Sequence, residues 1–121
     1  MIQVEFEFDK KLDWLTPRPK DKKYIALEAI GNIGWTSDRV IEDLEWLEKC
    51  REGTFQTDDG QPSFCVGFEN SPGIIYVGNN EETAELYDAY DHDKAPYLSL
   101  TLDELKDFLT QMRDFLISVG R

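Results

Sequence analysis

The sequence predicts an α+β protein in which two main helices, at about 36–52 and 102–119, pack on an antiparallel sheet of about five to six strands. Three observations lead to this class: strict alternation at the start of the chain, two capped amphipathic stretches, and several short apolar runs separated by turn residues. Consecutive strands with short turns indicate antiparallel pairing. The 121 residues contain no linker and no internal repeat, so we expect a single domain over 1–121.

The N-terminal half supplies the first strands and the first helix. The run IQVEFEF (2–8) alternates apolar and polar residues and predicts a half-buried strand. LTPRPKDKK (15–23) contains two prolines and four basic residues and predicts a loop, whereas YIALEAI (24–30) predicts a second strand. Thr36 or Ser37 is expected to cap a helix that presents an apolar stripe and crowds acidic residues over its remaining surface.

The C-terminal half supplies a hairpin, further strands and the second helix. SFCVGFE and IIYVGN flank the tight turn NSPG and predict an antiparallel hairpin, and the preceding TFQTDD is a strand-like piece that ends at a turn. TAELYDAY (83–90) fits a helix or a strand and is interpreted as a strand, and YLSL (97–100) predicts a short strand. The last helix begins at a capping box of Thr101 and Glu104, and its apolar residues recur at spacings of three, four and seven.

The negative charge of the chain is concentrated in its body. The formal net charge is −12, yet residues 1–23 hold five acidic and six basic residues, and residues 24–121 hold 20 acidic and seven basic ones. Nucleic acid and anionic membranes are therefore disfavoured as direct ligands, because binding them requires a basic face. A basic protein partner is favoured, because complementary fields speed encounter. The alternative is that the charge serves solubility alone.

The motifs that carry catalysis or metal binding are missing. The glycines match neither a phosphate-binding loop nor a dinucleotide fingerprint, and a single histidine, His92, excludes a histidine-rich metal site. DHDKAP fails as a calcium loop because Pro96 stands where glycine is needed. Cys50 and Cys65 are typical of buried thiols in a reducing compartment, and no signal peptide is visible. We therefore expect a cytoplasmic protein without catalytic activity, cofactor or metal.

The stretch NNEETAELYDAYDHDK (79–94) combines carboxylates with tyrosines. As a strand it places Glu85 and Tyr87 on one face with Thr83, and Ala84, Leu86, Asp88 and Tyr90 on the other, and Asp91 and Asp93 continue the acidic line. Tyrosine beside carboxylate suits a partner rich in lysine and arginine. The alternatives are an edge strand kept soluble by its charge and a metal site.

The C-terminal half of the chain also resembles a known class of proteins. The hairpin SFCVGFENSPGIIYVG, the acidic ELYDAYD and the closing LSLTLDELKDFLTQMRDFL are similar to small acidic bacterial immunity proteins of polymorphic-toxin systems, including contact-dependent growth inhibition. The likeness covers roughly residues 53–119. It implies a cytoplasmic antitoxin that binds a toxin domain and blocks its active site. Many such toxins are basic nucleases, which would suit the charge.

Two other functions remain open at this point: an acidic nucleic-acid mimic that inhibits a DNA-binding protein, and a small enzyme subunit. Paired carboxylates are always possible in a chain with 25 acidic residues, but nothing selects a pair. The predicted partner-binding residues are acidic or lie next to acidic residues in the sequence. They are Glu85, Tyr87, Asp88, Tyr90, Asp91 and Asp93 in the acidic stretch, and Glu42, Glu45 and Glu48 on the first helix.

Overall fold

The computed structural model describes residues 1–51, 64–69, 74–79, 83–88 and 95–121, with the backbone alone for 50–51, 64–69, 74–79 and 87–88. The elements in chain order are β1 (Val4–Asp9), β2 (Trp14–Pro19), a 3-10 helix (Lys22–Ile30), β3 (Asn32–Ile33), α1 (Ser37–Arg51), β4 (Phe64–Glu69), β5 (Ile74–Asn79), β6 (Thr83–Asp88), β7 (Leu98–Thr101) and α2 (Leu102–Ser118). The predicted mixed α+β class with antiparallel pairing is confirmed.

The prediction of one sheet with about five to six strands is not confirmed. The described residues form seven strands in two antiparallel sheets, with the orders β1-β2-β3 and β4-β5-β6-β7. Within that part of the chain, α1 separates the two groups of strands, and the 3-10 helix lies between β2 and β3 of the first group. The predicted piece at TFQTDD lies outside the described residues.

The first sheet packs its apolar face on α2. Val4, Phe6 and Phe8 of β1 are half-buried, and the Phe6 ring lies 5.4 Å from that of Phe115 and 6.0 Å from that of Phe108, between centroids. The acidic residues that alternate with them are exposed, as the sequence predicts. The predicted first strand is therefore confirmed.

The second strand does not lie where it was predicted. Residues 15–23 were predicted to be a loop, but Trp14–Pro19 pairs with β1 along its whole length. The amide of Lys20 donates to the Gln3 carbonyl at 3.0 Å, so strand alternation turns the nitrogens of Pro17 and Pro19 away from β1. On that other edge β3 pairs only with Trp14 and Leu15, so the prolines remove no ladder hydrogen bond.

The stretch 24–30, predicted to be a strand, belongs instead to the 3-10 helix. Asp21 caps it, because its carboxylate accepts the Lys23 amide at 2.9 Å. Leu27 and Ile30 are buried and stand three residues apart, which is the period of this helix type. The strand prediction for 24–30 was wrong because Asp21, which starts this helix, lay inside the predicted loop and was not recognised as a cap.

Both main helices are confirmed. The Thr36 hydroxyl accepts the Arg39 amide at 3.2 Å at the start of α1. At the start of α2 the Thr101 hydroxyl accepts the Glu104 amide at 3.1 Å, and the Glu104 carboxylate accepts the Thr101 amide at 3.0 Å. This reciprocal pair is the predicted capping box. Among the described residues, no helix is long and apolar enough to cross a membrane.

The second sheet confirms the predicted hairpin and both later strands. β4 pairs with β5, β5 with β6 and β6 with β7. Ala84, Leu86, Leu98 and Leu100 are buried on the face that meets the helices, and residues between them are exposed. Buried side chains from both sheets and both helices form one hydrophobic cluster.

Candidate partner-binding surface

The solvent side of α1 carries a row of exposed carboxylates. Asp38, Glu42 and Glu45 are exposed and lie on one side of the helix at spacings of four and three, opposite the buried Val40 and Leu47. Ile41, 37 % exposed, lies beside them. Within the described part of the chain, none of the three carboxylates is in an ion pair. We call Asp38, Ile41, Glu42 and Glu45 the acidic stripe.

Glu48, the third predicted acid of α1, has a different role. Its Oε1 lies 2.8 Å from the Nζ of Lys106 on α2, and both side chains are partly exposed. The pair joins the two helices, which pack against each other. An exposed ion pair of this kind contributes about 0 to 1 kcal/mol. Glu48 therefore presents less free charge to a partner than Glu42 or Glu45 does.

Asp43 is the acid of α1 that sequence reasoning missed. It is half-buried, and its Oδ2 is buried without a hydrogen-bond partner. Burial raises the pKa of this carboxyl from 3.8 to about 6, against the lowering effect of Arg39 and with a small further rise from Glu42. The sequence did contain a signal that Asp43 is half-buried. It stands three residues after Val40 and four before Leu47, which places it at the border of the apolar stripe.

The strand predicted to carry the acidic stretch has the expected alternation. Thr83 and Glu85 are exposed, whereas Ala84 and Leu86 are fully buried. The Cα partner of Glu85 on β7 is Ser99, so no basic residue stands opposite its carboxylate there. The faces predicted for 83–86 are confirmed.

The remaining predicted residues of this stretch are described in part or not at all. The backbones of Tyr87 and Asp88 pair with those of Tyr76 and Ile75 on β5. Tyr90, Asp91 and Asp93 lie outside the described residues. Their contribution to partner binding stays a prediction.

The two predicted parts of the binding surface face different sides of the molecule. α2 packs on β6 and β7, and α1 packs on α2 and β4. Leu86 points into this helical layer, so Glu85 must point away from it. Glu42 and Glu45 lie on the solvent side of α1, beyond the same layer. The exposed acids of α1 and the exposed Glu85 of β6 therefore do not lie side by side.

Tyr97 is an aromatic residue that was not singled out from the sequence. Its side chain is 49 % exposed, and its amide donates to the Leu86 carbonyl at 2.7 Å, which extends the pairing of β7 with β6. Tyr97 lies at a bend directly before β7, in which the buried Leu98 and Leu100 alternate with the exposed Ser99 and Thr101. We call Thr83, Glu85, Tyr97, Ser99 and Thr101 the outer sheet face.

Two acids of α2, Glu104 and Asp107, accept hydrogen bonds that stabilise the fold. The Tyr24 hydroxyl donates to Glu104 Oε2 at 2.5 Å, and Asp107 Oδ2 accepts the Ile2 amide at 2.9 Å. The hydrogen bond from the Thr101 backbone, helped by Tyr24, lowers the pKa of Glu104, and the hydrogen bond to Glu104 raises the pKa of Tyr24. Both carboxylates are thus engaged in holding the N-terminal region on α2.

The described residues contain no group of three or more histidine, cysteine, aspartate and glutamate side chains arranged to hold a metal ion. In comparisons with known proteins, no protein-family model matches the chain, and no match is found among curated proteins or solved structures.

Proposed function

We propose that this chain is an immunity protein that acts in the bacterial cytoplasm, where it binds a basic toxin domain, most readily a nuclease, and blocks its active site. The observation that carries the proposal is the acidic stripe: three exposed carboxylates, none of them in an ion pair with a described residue, with the exposed Ile41 along one edge of the row. A body with a net charge of −13 supplies the long-range field.

The stripe combines the two features that a basic partner requires. Carboxylates at an interface steer encounter and select for lysine and arginine, whereas an adjacent apolar side chain gives contact area that excludes water. Ile41 lies on the helix between the turns that carry Asp38, Glu42 and Glu45. A nuclease active site is lined by cations that bind phosphate, so a rigid row of carboxylates competes for the same groups.

The outer sheet face is the second candidate surface for the same function. Glu85 and the exposed ring of Tyr97 offer one carboxylate and one aromatic anchor, and the acidic stretch predicted from the sequence continues from β6. A nucleic-acid mimic would present a broad acidic face with few apolar anchors. The exposure of Ile41 and Tyr97 favours a protein interface of the ordinary kind.

The test starts from the gene's neighbourhood and ends in a growth assay. The proposal requires an adjacent reading frame for a secreted toxin; its C-terminal domain is expressed from an inducible promoter with or without this chain. We expect the chain to restore growth and to inhibit the purified toxin domain at equimolar concentration. An adjacent frame without toxicity, or toxicity that the chain does not relieve, contradicts the proposal.

Two paired variants then assign the surface. Glu42→Lys with Glu45→Lys reverses the acidic stripe, and Glu85→Lys with Tyr97→Ala alters the outer sheet face. We expect the first pair to lose protection and the second to keep it. The opposite result moves the interface to the outer sheet face. Thermal melts of each variant separate lost binding from lost folding. If both folded variants protect fully, neither surface is the interface.

A further inference from the structure

A surface that is basic and apolar, unlike the acidic stripe, lies at the turn between β1 and β2. A cavity of about 600 Å³ opens there, with Lys10, Lys11, Leu12 and Trp14 in its lining. Leu12 is 65 % exposed, and Ile33 of β3, the Cα partner of Trp14, is 54 % exposed. Paired residues of neighbouring strands present their side chains on the same face. We call Lys10, Lys11, Leu12, Trp14 and Ile33 the hairpin patch.

The free charge of the hairpin patch is positive. Lys10 and Lys11 are exposed, and within the described residues neither is in an ion pair. Glu7 lies 3.1 Å from Arg18, and Asp9 Oδ1 accepts the amides of Lys11 and Leu12 at 2.9 and 3.2 Å, so among the described residues the one carboxylate without a basic partner here, Asp9, is outnumbered by the two lysines. Two cations therefore flank an exposed apolar group in a strongly acidic protein.

The turn that presents the patch is fixed in place. Asp13 occupies the left-handed region with φ of 53°, and its Oδ1 lies 3.4 Å from Nη2 of Arg121. The Arg121 guanidinium also lies 5.0 Å from the centre of the Phe8 ring, and the Arg121 carbonyl accepts the Ser37 amide at 3.1 Å. A surface held in this way loses little conformational entropy when it is covered.

We propose that the hairpin patch binds the acidic stripe of a second copy of the same chain. The two surfaces are complementary in kind: lysines beside Leu12, Trp14 and Ile33 on one, and carboxylates beside Ile41 on the other. Each charged group of the contact would meet a group of opposite sign, and each apolar group would meet another. The inference goes beyond the proposed function and needs no toxin for its test.

Salt gives this association a distinctive signature. Two copies that each carry a net charge of −12 repel each other at long range. Salt removes that repulsion before it removes the attraction between groups in contact, because the Debye length falls to about 8 Å at physiological ionic strength. Self-association should therefore strengthen as salt rises from low to physiological concentration, whereas capture of a basic partner should weaken.

The experiment is sedimentation velocity on the purified full chain over about a hundredfold range of concentration at physiological salt. We expect a concentration-dependent rise in weight-average mass above that of the monomer. Lys10→Glu with Lys11→Glu should abolish the rise, and so should Glu42→Lys with Glu45→Lys. An equimolar mixture of these two charge-reversed variants should restore it, because each surface again meets its opposite sign.

Matched controls keep the test specific. Lys22→Glu with Lys23→Glu makes the same change in net charge on the 3-10 helix and should leave the association within about twofold. Ile33→Ser should weaken it at least about tenfold, whereas Ile25→Ser, at a residue that is 52 % exposed, should not. Thermal melts show that each variant is folded. A monomer at all concentrations, or a variant mixture that stays monomeric, overturns the proposal.

Discussion

Asp43 shows how one side chain acts on the stability of this fold. Most acids of α1 remain in water, but Asp43 stands at the border of the packed face, where its Oδ2 finds no hydrogen-bond donor. Removing a carboxylate from water costs free energy unless a partner compensates. The fold accommodates this by making the carboxyl a weaker acid, with a pKa of about 6.

Replacing Asp43 by asparagine should stabilise the protein at neutral pH. The folded-state pKa of about 6 lies above the ordinary 3.8, so the folded protein holds this proton more tightly than the unfolded chain does. The group thus favours folding below about pH 4, and this contribution is lost as pH rises through 6. At pH 7.5 we expect Asp43→Asn to add about 1 to 2 kcal/mol, after allowance for partial exposure.

The measurement is urea denaturation of Asp43→Asn and the parent protein from pH 4 to pH 8. The stability difference should shrink as pH falls through 6. Glu45→Gln, at an exposed position of the same helix, is the control and should show no such trend. A difference that is constant across this range would contradict the account.

Gly31 is required because the chain comes close to itself. A Cβ at this position would lie 2.7 Å from the Leu15 carbonyl oxygen and 3.2 Å from Pro17 Cδ. Gly31→Ala should therefore destabilise the protein by about 1 to 3 kcal/mol, since backbone must move to admit the methyl group.

The comparison for this prediction is Gly34→Ala, measured by thermal and chemical denaturation. Gly34 has open space around it and a φ of 76°, so its substitution costs only the backbone strain of about 1 to 2 kcal/mol. Equal stability of Gly31→Ala and the parent would show that the close approach does not exist in solution.

At the scale of elements, local sequence signals identify the two main helices. They do not identify elements whose conformation depends on tertiary packing. Thr101 and Glu104 mark the start of α2 in the sequence because both partners of the capping box lie within one turn. The strand at Trp14–Pro19 was hidden because its prolines are tolerated only where β3 has ended. Glu48 could not be separated from Glu45 by sequence, because its partner Lys106 lies on another helix.

The capping box gives a prediction for α2. Thr101→Ala removes the hydroxyl that accepts the Glu104 amide and should cost about 0.5 to 2 kcal/mol of stability. Thr110→Ala is the matched control, since its hydroxyl only donates to the Lys106 carbonyl within the helix. Chemical denaturation of both variants measures the difference, and an equal loss in the two would rule out a special contribution from the cap.

At the scale of the whole molecule, the layered packing decides which surfaces act together. The sequence placed acids on α1 and on β6, and the structure places Glu42 and Glu85 on different sides of the helical layer. Local alternation predicted which side of its strand each residue occupies, but it carried no information about how the sheets and helices stack. The sequence alone therefore could not show that the acids of α1 and of β6 lie on different sides of the molecule.

The field of the whole molecule predicts how partner capture depends on salt. With a net charge of −12, association with the proposed basic toxin domain should slow about tenfold or more between 0.01 M and 0.15 M salt, because the Debye length contracts from about 30 Å to about 8 Å. Stopped-flow mixing measures the rate constant. The dissociation rate should change less. An association rate constant that varies by less than about twofold would exclude electrostatic steering.

The prolines of β2 have a consequence for the protein at high concentration. An unpaired strand edge is a template on which other chains add strands, and this is a common route to fibrous aggregates. Here Pro17 and Pro19 turn their nitrogens to that edge, and Pro17 lies beside Gly31 at the end of the 3-10 helix. An incoming strand would find missing donors and a covered backbone, so the first sheet cannot grow from chain to chain along β2.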